Sequence, residues 1–249
     1  MMPRSIELRE VSVLLADGRP VLSKVSLRIE VRERVALVGA SGAGKTTALR
    51  LMNGLVAPSL GDVLVDGVSI GRLDGPQLRR KMGYVIQGVG LFPHRTVFDN
   101  VAVVPRLLGW QETKIRAAIE SILTDVNLPF ERYASRFPRT LSGGEQQRVG
   151  VARALVSAPE ILLCDEPFSA LDPIVRREHQ TLLRELAIKR APTLVLVTHD
   201  LREAFAVAER IVLLDLGSVV VDLSRKDFLS SDHPLVRQFV ESATIPMAS

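Results

Sequence analysis

Gly39-Ala40-Ser41-Gly42-Ala43-Gly44-Lys45-Thr46-Thr47 fits the pattern G-x-x-x-x-G-K-[ST], the P-loop, and its flanks fit as well. Ahead of it, the apolar run Val35-Ala36-Leu37-Val38 reads as a buried strand, and behind it Thr47-Ala48-Leu49-Arg50-Leu51-Met52 reads as a helix. Glycines let the backbone curl so that several N–H groups converge on one phosphate, and a helix N-terminus adds the positive end of its dipole. In such a loop Lys45 reaches the β- and γ-phosphates and the Thr46 hydroxyl ligates Mg²⁺. The stretch predicts a nucleoside triphosphate site on an α/β scaffold.

Working outward, 249 residues are enough for a large core in one or two closely joined domains. Apolar residues make up 47% and charged residues 24%, a globular composition with enough apolar surface for a partner interface. No run approaches the ~20 uninterrupted apolar residues of a membrane-spanning helix. Met1-Met2-Pro3-Arg4-Ser5-Ile6-Glu7 lacks an apolar core segment, so it is not expected to act as a secretory signal. The single cysteine, Cys164, excludes an intramolecular disulfide and reads as a small apolar core residue of a reducing compartment. A net charge of +4 is modest. No Lys/Arg cluster alternates with aromatics, so nucleic-acid binding is not expected.

Residues 5–34 alternate apolar and polar side chains around Asp17-Gly18-Arg19-Pro20, which predicts a hairpin. Gly61 to Gly67 and Gly83-Tyr84-Val85-Ile86 read as short strands, the second ending at Gln87. From about 88 to 158 the pattern turns helical, with amphipathic helices over 114–126 and 145–156. Strand character returns at 161–164, 193–197 and 211–214, with helical stretches between, and the tail from Leu223 reads as short helices among prolines. Such alternation predicts a mostly parallel sheet with helices on both faces. The predicted organisation is an antiparallel β subdomain and P-loop core over 1–87 and 159–249, interrupted by a helical subdomain over 88–158.

Ile161-Leu162-Leu163-Cys164-Asp165-Glu166 places two carboxylates at the C-terminal end of a buried strand, where open α/β sheets bind ligands. Asp165 suits the Mg²⁺ side, and Glu166, one residue on, suits polarising the attacking water as general base. Leu141-Ser142-Gly143-Gly144-Glu145-Gln146 opens a helix with a hydroxyl and unobstructed N–H groups, a second anion-binding terminus.

In the order P-loop, Gln87, this hexapeptide, Asp165-Glu166 and His199, the whole chain resembles the ATPase subunit of ATP-binding-cassette (ABC) transporters. The resemblance implies a single ABC ATPase domain that uses ATP and Mg²⁺. It assigns Leu141, Ser142, Gly143, Gly144, Glu145 and Gln146 to the signature motif, which contacts the γ-phosphate bound to the opposite copy. Gln87 becomes the glutamine that senses Mg²⁺ and the attacking water, Ser169-Ala170-Leu171-Asp172 the D-loop at the dimer interface, and His199 the switch histidine at the γ-phosphate. The family usually stacks an aromatic residue on adenine; the matching position is about Leu15, and no Phe, Tyr or Trp occurs before Tyr84. Glu145 stands where many relatives carry Gln, an exchange expected to be tolerated because an acid caps the first helical turn favourably.

The stretches Gly90 to Val97, Asn100 to Trp110 and Asp165 to Ile174 look like those of ATPases in glycine betaine, choline and proline uptake systems. That likeness implies a peripheral subunit on the cytoplasmic side of the membrane, working with a second copy of itself, integral permease subunits and, indirectly, a substrate-binding protein. Residues 88–110 would dock the permease. An ABC ATPase of an amino-acid, lipid or export system stays open at this point, as does, more remotely, a soluble one in DNA repair or translation. A P-loop GTPase or kinase is disfavoured, since no Asn-Lys-x-Asp motif occurs.

Overall fold

The computed structural model describes residues 4–169, 171–190 and 192–243. Along the chain run β1 (Ile6–Leu14), β2 (Pro20–Ile29), β3 (Arg34–Val38), α1 (Lys45–Met52), β4 (Leu60–Val65), β5 (Val68–Ser69), α2 (Gly75–Arg80) and β6 (Met82–Val85). There follow α3 (Val97–Leu107), α4 (Glu112–Asp125), α5 (Phe130–Tyr133), α6 (Gly143–Leu155), β7 (Ile161–Asp165) and α7 (Pro173–Arg190). The chain continues with β8 (Thr193–Val197), α8 (Leu201–Val207), β9 (Arg210–Asp215), β10 (Ser218–Ser224), α9 (Arg225–Leu229) and α10 (Pro234–Ser242). Contacts divide it into two compact units, one of residues 76–192 and one of residues 4–75 with 193 onward.

The unit containing the P-loop has two layers of strand. β1 pairs antiparallel with β2 (Ile6↔Ile29, Leu8↔Leu27) and with β4 (Ile6↔Val65, Leu8↔Val63), the hairpin that the alternating pattern predicts. Its inward residues Ile6, Leu8, Val25, Leu27, Ile29, Val63 and Val65 are buried. β3 runs parallel between β8 (Val35↔Val195) and β9 (Ala36↔Ile211). All three are apolar without alternation because both faces are covered. Each such Val, Ile or Leu contributes roughly 1.5–3 kcal/mol on burial. β10 adds an antiparallel edge to β9 (Leu214↔Val219); the sequence pattern does not announce it. Beyond Ser224 the tail forms the two short helices α9 and α10.

In the other unit β6 and β7 pair in parallel (Met82↔Ile161, Val85↔Cys164). Helix α6 passes directly over β6: a Cβ on Gly83 would lie 2.5 Å from the Ala154 carbonyl oxygen, so only glycine fits. α4 buries the stripe Ile115, Ile119, Ile122 and Leu123 that its periodicity announces. One expectation is corrected here. The helical pattern read from about 88 begins only at Val97, because Gly88 (φ 63°) and Gly90 (φ 53°) adopt left-handed backbone and Pro93 breaks the residues after them. Buried Asn100 fixes that irregular stretch, accepting from Phe92 N–H at 2.7 Å and donating to the carbonyls of Phe92, Arg95 and Thr96.

Candidate functional site

The loop 39–47 leaves β3 and enters α1, whose first residue is Lys45, so Lys45 and Thr46 sit in the first helical turn rather than before it. Gly39 (φ 149°) and Gly44 (φ 95°) are fixed by close approach as well as by backbone angle. A Cβ on Gly39 would fall 2.2 Å from the Leu214 carbonyl oxygen, and one on Gly44 2.4 Å from Leu22 Cδ2. Gly42 (φ 82°) has nothing within 4 Å. Ala43 is buried, whereas Ala40, Ser41 and Gly42 are exposed and form the open lip; Thr47 is half-buried within α1. The buried Lys45 ammonium turns back over the loop and donates to the carbonyls of Gly39 and Ala40, both at 2.8 Å.

His199 belongs to the same unit and follows β8. β8 ends beside β3 (Leu37↔Val197), and Thr198 N–H donates to the Leu37 carbonyl at 3.2 Å, so the chain carrying His199 leaves the sheet next to the start of the phosphate loop. Hydrogen bonds hold that exit: buried Thr198 donates to Glu203 Oε2 at 2.5 Å and accepts from Asp200 N–H at 3.0 Å, and Asp200 accepts from Arg202 N–H at 2.8 Å to cap α8. Leu15 lies at the hairpin tip, 47% exposed. Its N–H donates to the Arg19 carbonyl, and the strand returning from that tip is the one packed on Gly44.

The other unit carries the acids. β7 is buried throughout and ends at Asp165, 4% exposed, whose Oδ2 faces the Tyr84 hydroxyl on β6 at 3.4 Å. Glu166 turns out of the strand in the left-handed region (φ 44°), unusual for a residue with a side chain. There its Oε2 meets Nε2 of Gln87 at 3.3 Å. Gln87 and Glu166, 79 positions apart, are thus brought together. Ser169 closes the turn, its hydroxyl donating to the Glu166 carbonyl at 3.0 Å. Leu171 is buried, and Asp172 Oδ1 accepts from the N–H groups of Ile174 and Val175, starting α7. Ala170 lies outside the described residues.

The hexapeptide 141–146 opens α6 as a reciprocal cap: Ser142 Oγ accepts from Glu145 N–H at 3.2 Å and Glu145 Oε2 accepts from Ser142 N–H at 2.8 Å. Leu141 is buried beneath, Ser142 and Gly143 are exposed, and Gln146 donates to the carbonyls of Pro138 and Leu141. Gly144 is needed for packing: a Cβ there would lie 2.9 Å from Val175 Cγ1. A cavity of about 610 Å³ opens in front of this turn, lined among others by Ser142, Gly143, Glu145, Asp172 and His179. Two tyrosines are not foreseen from sequence. Tyr84 touches Asp165, and Tyr133 donates to Glu145 Oε1 at 2.6 Å. Neither carries a local signal, since both contacts are made by the fold.

These features fit a nucleotide and a divalent ion. Glycines at which a Cβ would collide shape a backbone cradle around a buried ammonium, the surroundings of a phosphate. Among the described residues no group of three or more His, Cys, Asp or Glu side chains forms a cage. An ion at Thr46 or at Asp165 would therefore take most of its ligands from phosphate and water, which suits Mg²⁺.

Residues 22–169 match the family described as ABC transporter. The chain belongs to the ABC transporter family. Among its relatives, the glycine betaine/carnitine/choline transport ATP-binding protein of Bacillus subtilis (strain 168) is 43% identical over 215 residues, 86% of this chain. That match covers 56% of the relative, so this ABC chain spans little more than half its length. The glycine betaine uptake system ATP-binding protein of Escherichia coli (strain K12) is 41% identical over 235 residues, 94% of this chain and 76% of that protein. A solved ATP-binding cassette, dimeric and in a post-hydrolysis state bound to ADP and Pi, superposes with a TM-score of 0.77 at 33% identity, covering 88% of this chain and 98% of that one. The ABC cassette fold expected from the order of motifs is the fold observed, with its antiparallel sheet, parallel strands and helical insertion.

Proposed function

We propose that this chain is the ATP-hydrolysing subunit of an importer for quaternary-ammonium osmoprotectants of the glycine betaine, choline and carnitine class. It works as a pair with a second copy, seated on permease subunits at the cytoplasmic face of the membrane and served by a substrate-binding protein. The observation that carries the activity is the Gln87–Glu166 contact beside buried Asp165, at the end of an apolar strand. The transported class rests on the functions named for the relatives.

ATP with Mg²⁺ supplies the reactive phosphoryl group and neutralises its charge. Gly39, Ala40, Ser41, Gly42, Ala43 and Gly44 offer backbone N–H groups to the phosphates, Lys45 exchanges its two carbonyl partners for phosphate oxygens, and Thr46 and Asp165 hold the ion. Thr47 anchors the loop in α1. Glu166 accepts a proton from the attacking water, which Gln87 orients, and His199 contacts the γ-phosphate. The turn Leu141 to Gln146 and the loop Ser169 to Asp172 serve the nucleotide held by the opposite copy, so binding closes the pair and hydrolysis releases it.

Reconstitution of the chain with its permease in proteoliposomes, measuring ATP hydrolysis against a panel of external solutes, tests this reading. Glycine betaine or choline should stimulate turnover. Glu166→Gln should abolish turnover while keeping ATP binding. Stimulation by methionine alone would overturn the solute class, and undiminished turnover in Glu166→Gln would overturn the role of Glu166.

A further inference from the structure

Helix α6 does more than present the turn at its N-terminus. Gln147, 4% exposed, donates from Nε2 to the Pro167 carbonyl at 2.6 Å. Pro167 directly follows Glu166. Six residues further along the same helix, Arg153 donates from Nη1 to the Gly90 carbonyl at 2.8 Å and from Nη2 to the Val89 carbonyl at 3.2 Å. Val89 and Gly90 lie two and three residues after Gln87. No carboxylate pairs with Arg153 among the described residues, and burial alone pulls its pKa below the ordinary arginine value. Arg153 is half-buried, so its guanidinium is committed to these two carbonyls on one side while the other side reaches solvent.

The two anchor points flank the two residues whose side chains meet. The two anchored stretches need holding for different reasons. Glu166 occupies left-handed backbone (φ 44°), a conformation that a residue with a side chain keeps only where the surroundings over-determine it. Gly88 and Gly90 take left-handed backbone without such cost, so the stretch after Gln87 is not fixed by its own residues. Gln147 and Arg153 provide that determination, and both grow from the helix whose first turn begins after Ser142.

We propose that Gln147 and Arg153 are positioning residues that fix the Gln87–Glu166 pair from helix α6, so that the geometry of water activation follows the placement of the 141–146 turn. This rests on Glu166 being the base, as proposed above. Each acts through backbone close to Glu166 or Gln87, not on the reacting atoms themselves.

The test is ATP hydrolysis by the full chain reconstituted with its permease, alongside ATP binding and thermal unfolding. Gln147→Met and Arg153→Met should lower kcat by about 10²-fold, the cost of misplacing a reacting group by an ångström, with KM for ATP moving less than about twofold. Arg153→Lys, which keeps the charge and a donating head group but loses the fork that reaches both carbonyls, should retain more kcat than Arg153→Met. Gln147→Glu supplies a readout that loss of folding does not move. Protonated, the new carboxyl donates to the Pro167 carbonyl; ionised, it repels it. Its kcat relative to wild type should therefore rise as pH falls. A pH-independent ratio, equal kcat in the Lys and Met variants, or kcat within twofold of wild type in both Met variants would overturn the proposal. Wild type and Glu166→Gln run in parallel separate the two readings: hydrolysis that does not depend on Glu166 refutes the base, whereas Glu166-dependent hydrolysis with unaffected Gln147 and Arg153 variants refutes only the positioning.

Discussion

The Tyr133 hydroxyl donates to one carboxylate oxygen of Glu145 at 2.6 Å while the other accepts from the Ser142 N–H at 2.8 Å. One acid thereby ties the entrance of α6 to α5 and to its own cap. Tyr133→Phe removes a hydrogen bond to a charged acceptor and should cost about 1.5 kcal/mol at pH 7. The same contact, followed by the Ser142 N–H, holds the Glu145 carboxyl below its ordinary value of 4.5. A depressed carboxylate contributes stability that is present above its unfolded pKa and lost as pH falls through the folded one. The difference between wild type and Tyr133→Phe should therefore be full at neutral pH and shrink below pH 4.5. Urea unfolding at pH 7 and at successively lower pH measures it; a difference unchanged by acid would show that Glu145 is not the partner that matters.

The glycines of the phosphate loop should not respond alike to substitution. Gly39→Ala drives a methyl against the Leu214 carbonyl, which is main chain and has no rotamer to yield. Gly42→Ala meets only open space and bears the left-handed backbone strain of roughly 1–2 kcal/mol. Thermal unfolding should show Gly42→Ala lowered by a few degrees and Gly39→Ala lowered far more or not folding. Equal losses would mean that backbone angle, not the contact with β9, decides both positions.

That contrast shows where a sequence stops being legible. The strand before Gly39, the loop and the helix after it can be read because apolar run, glycine spacing and helical period are local signals. The Ser142–Glu145 cap can be read for the same reason, as a spacing of three. Gly144 reads as freedom for an anion, yet its nearest constraint is Val175, 31 positions on. Glu166 and Gln87 each read as candidates, but their meeting depends on β6 lying beside β7. β10 is hidden because Ser218, Asp222 and Ser224 dilute its apolar residues, as suits an edge strand. Residues 88–96 mislead in the other direction, since Val89, Leu91 and Phe92 imitate a helix that two left-handed glycines forbid.

Leu15 is 47% exposed at the hairpin tip. An aliphatic side chain can cover adenine but cannot offer the offset stacking of a ring, worth ~0.5–1.5 kcal/mol. Leu15→Tyr should tighten ATP binding by about two- to tenfold, with the folded state untouched because the side chain is on the surface. Titration of both proteins with ATP measures this, and identical dissociation constants would remove Leu15 from the nucleotide site.

His179 is 2% exposed on α7, packed under Gly144, and its Nε2 is buried with no hydrogen-bond partner among the described residues. Burial, with the Arg148 charge adding to it, pushes its pKa from 6.5 down to about 4. The folded protein therefore holds this imidazole neutral while the unfolded chain protonates it near pH 6.5. The unfolded state binds the extra proton, so stability falls as pH drops from about 6.5 toward 4 and is unaffected by this group above about pH 7. His179→Met removes both the orphaned nitrogen and the titration while keeping a flexible apolar filling against Val175. It should be more stable than wild type at pH 7 by about 1–3 kcal/mol, the usual cost of a buried unpaired polar group. The gap should widen as the solution is acidified toward pH 4, because only wild type must exclude a proton. Urea unfolding of the two proteins at about pH 7.5, 6 and 5 measures both effects. A constant gap would mean that His179 does not titrate across this range, and a less stable variant would mean that Nε2 has a partner in solution.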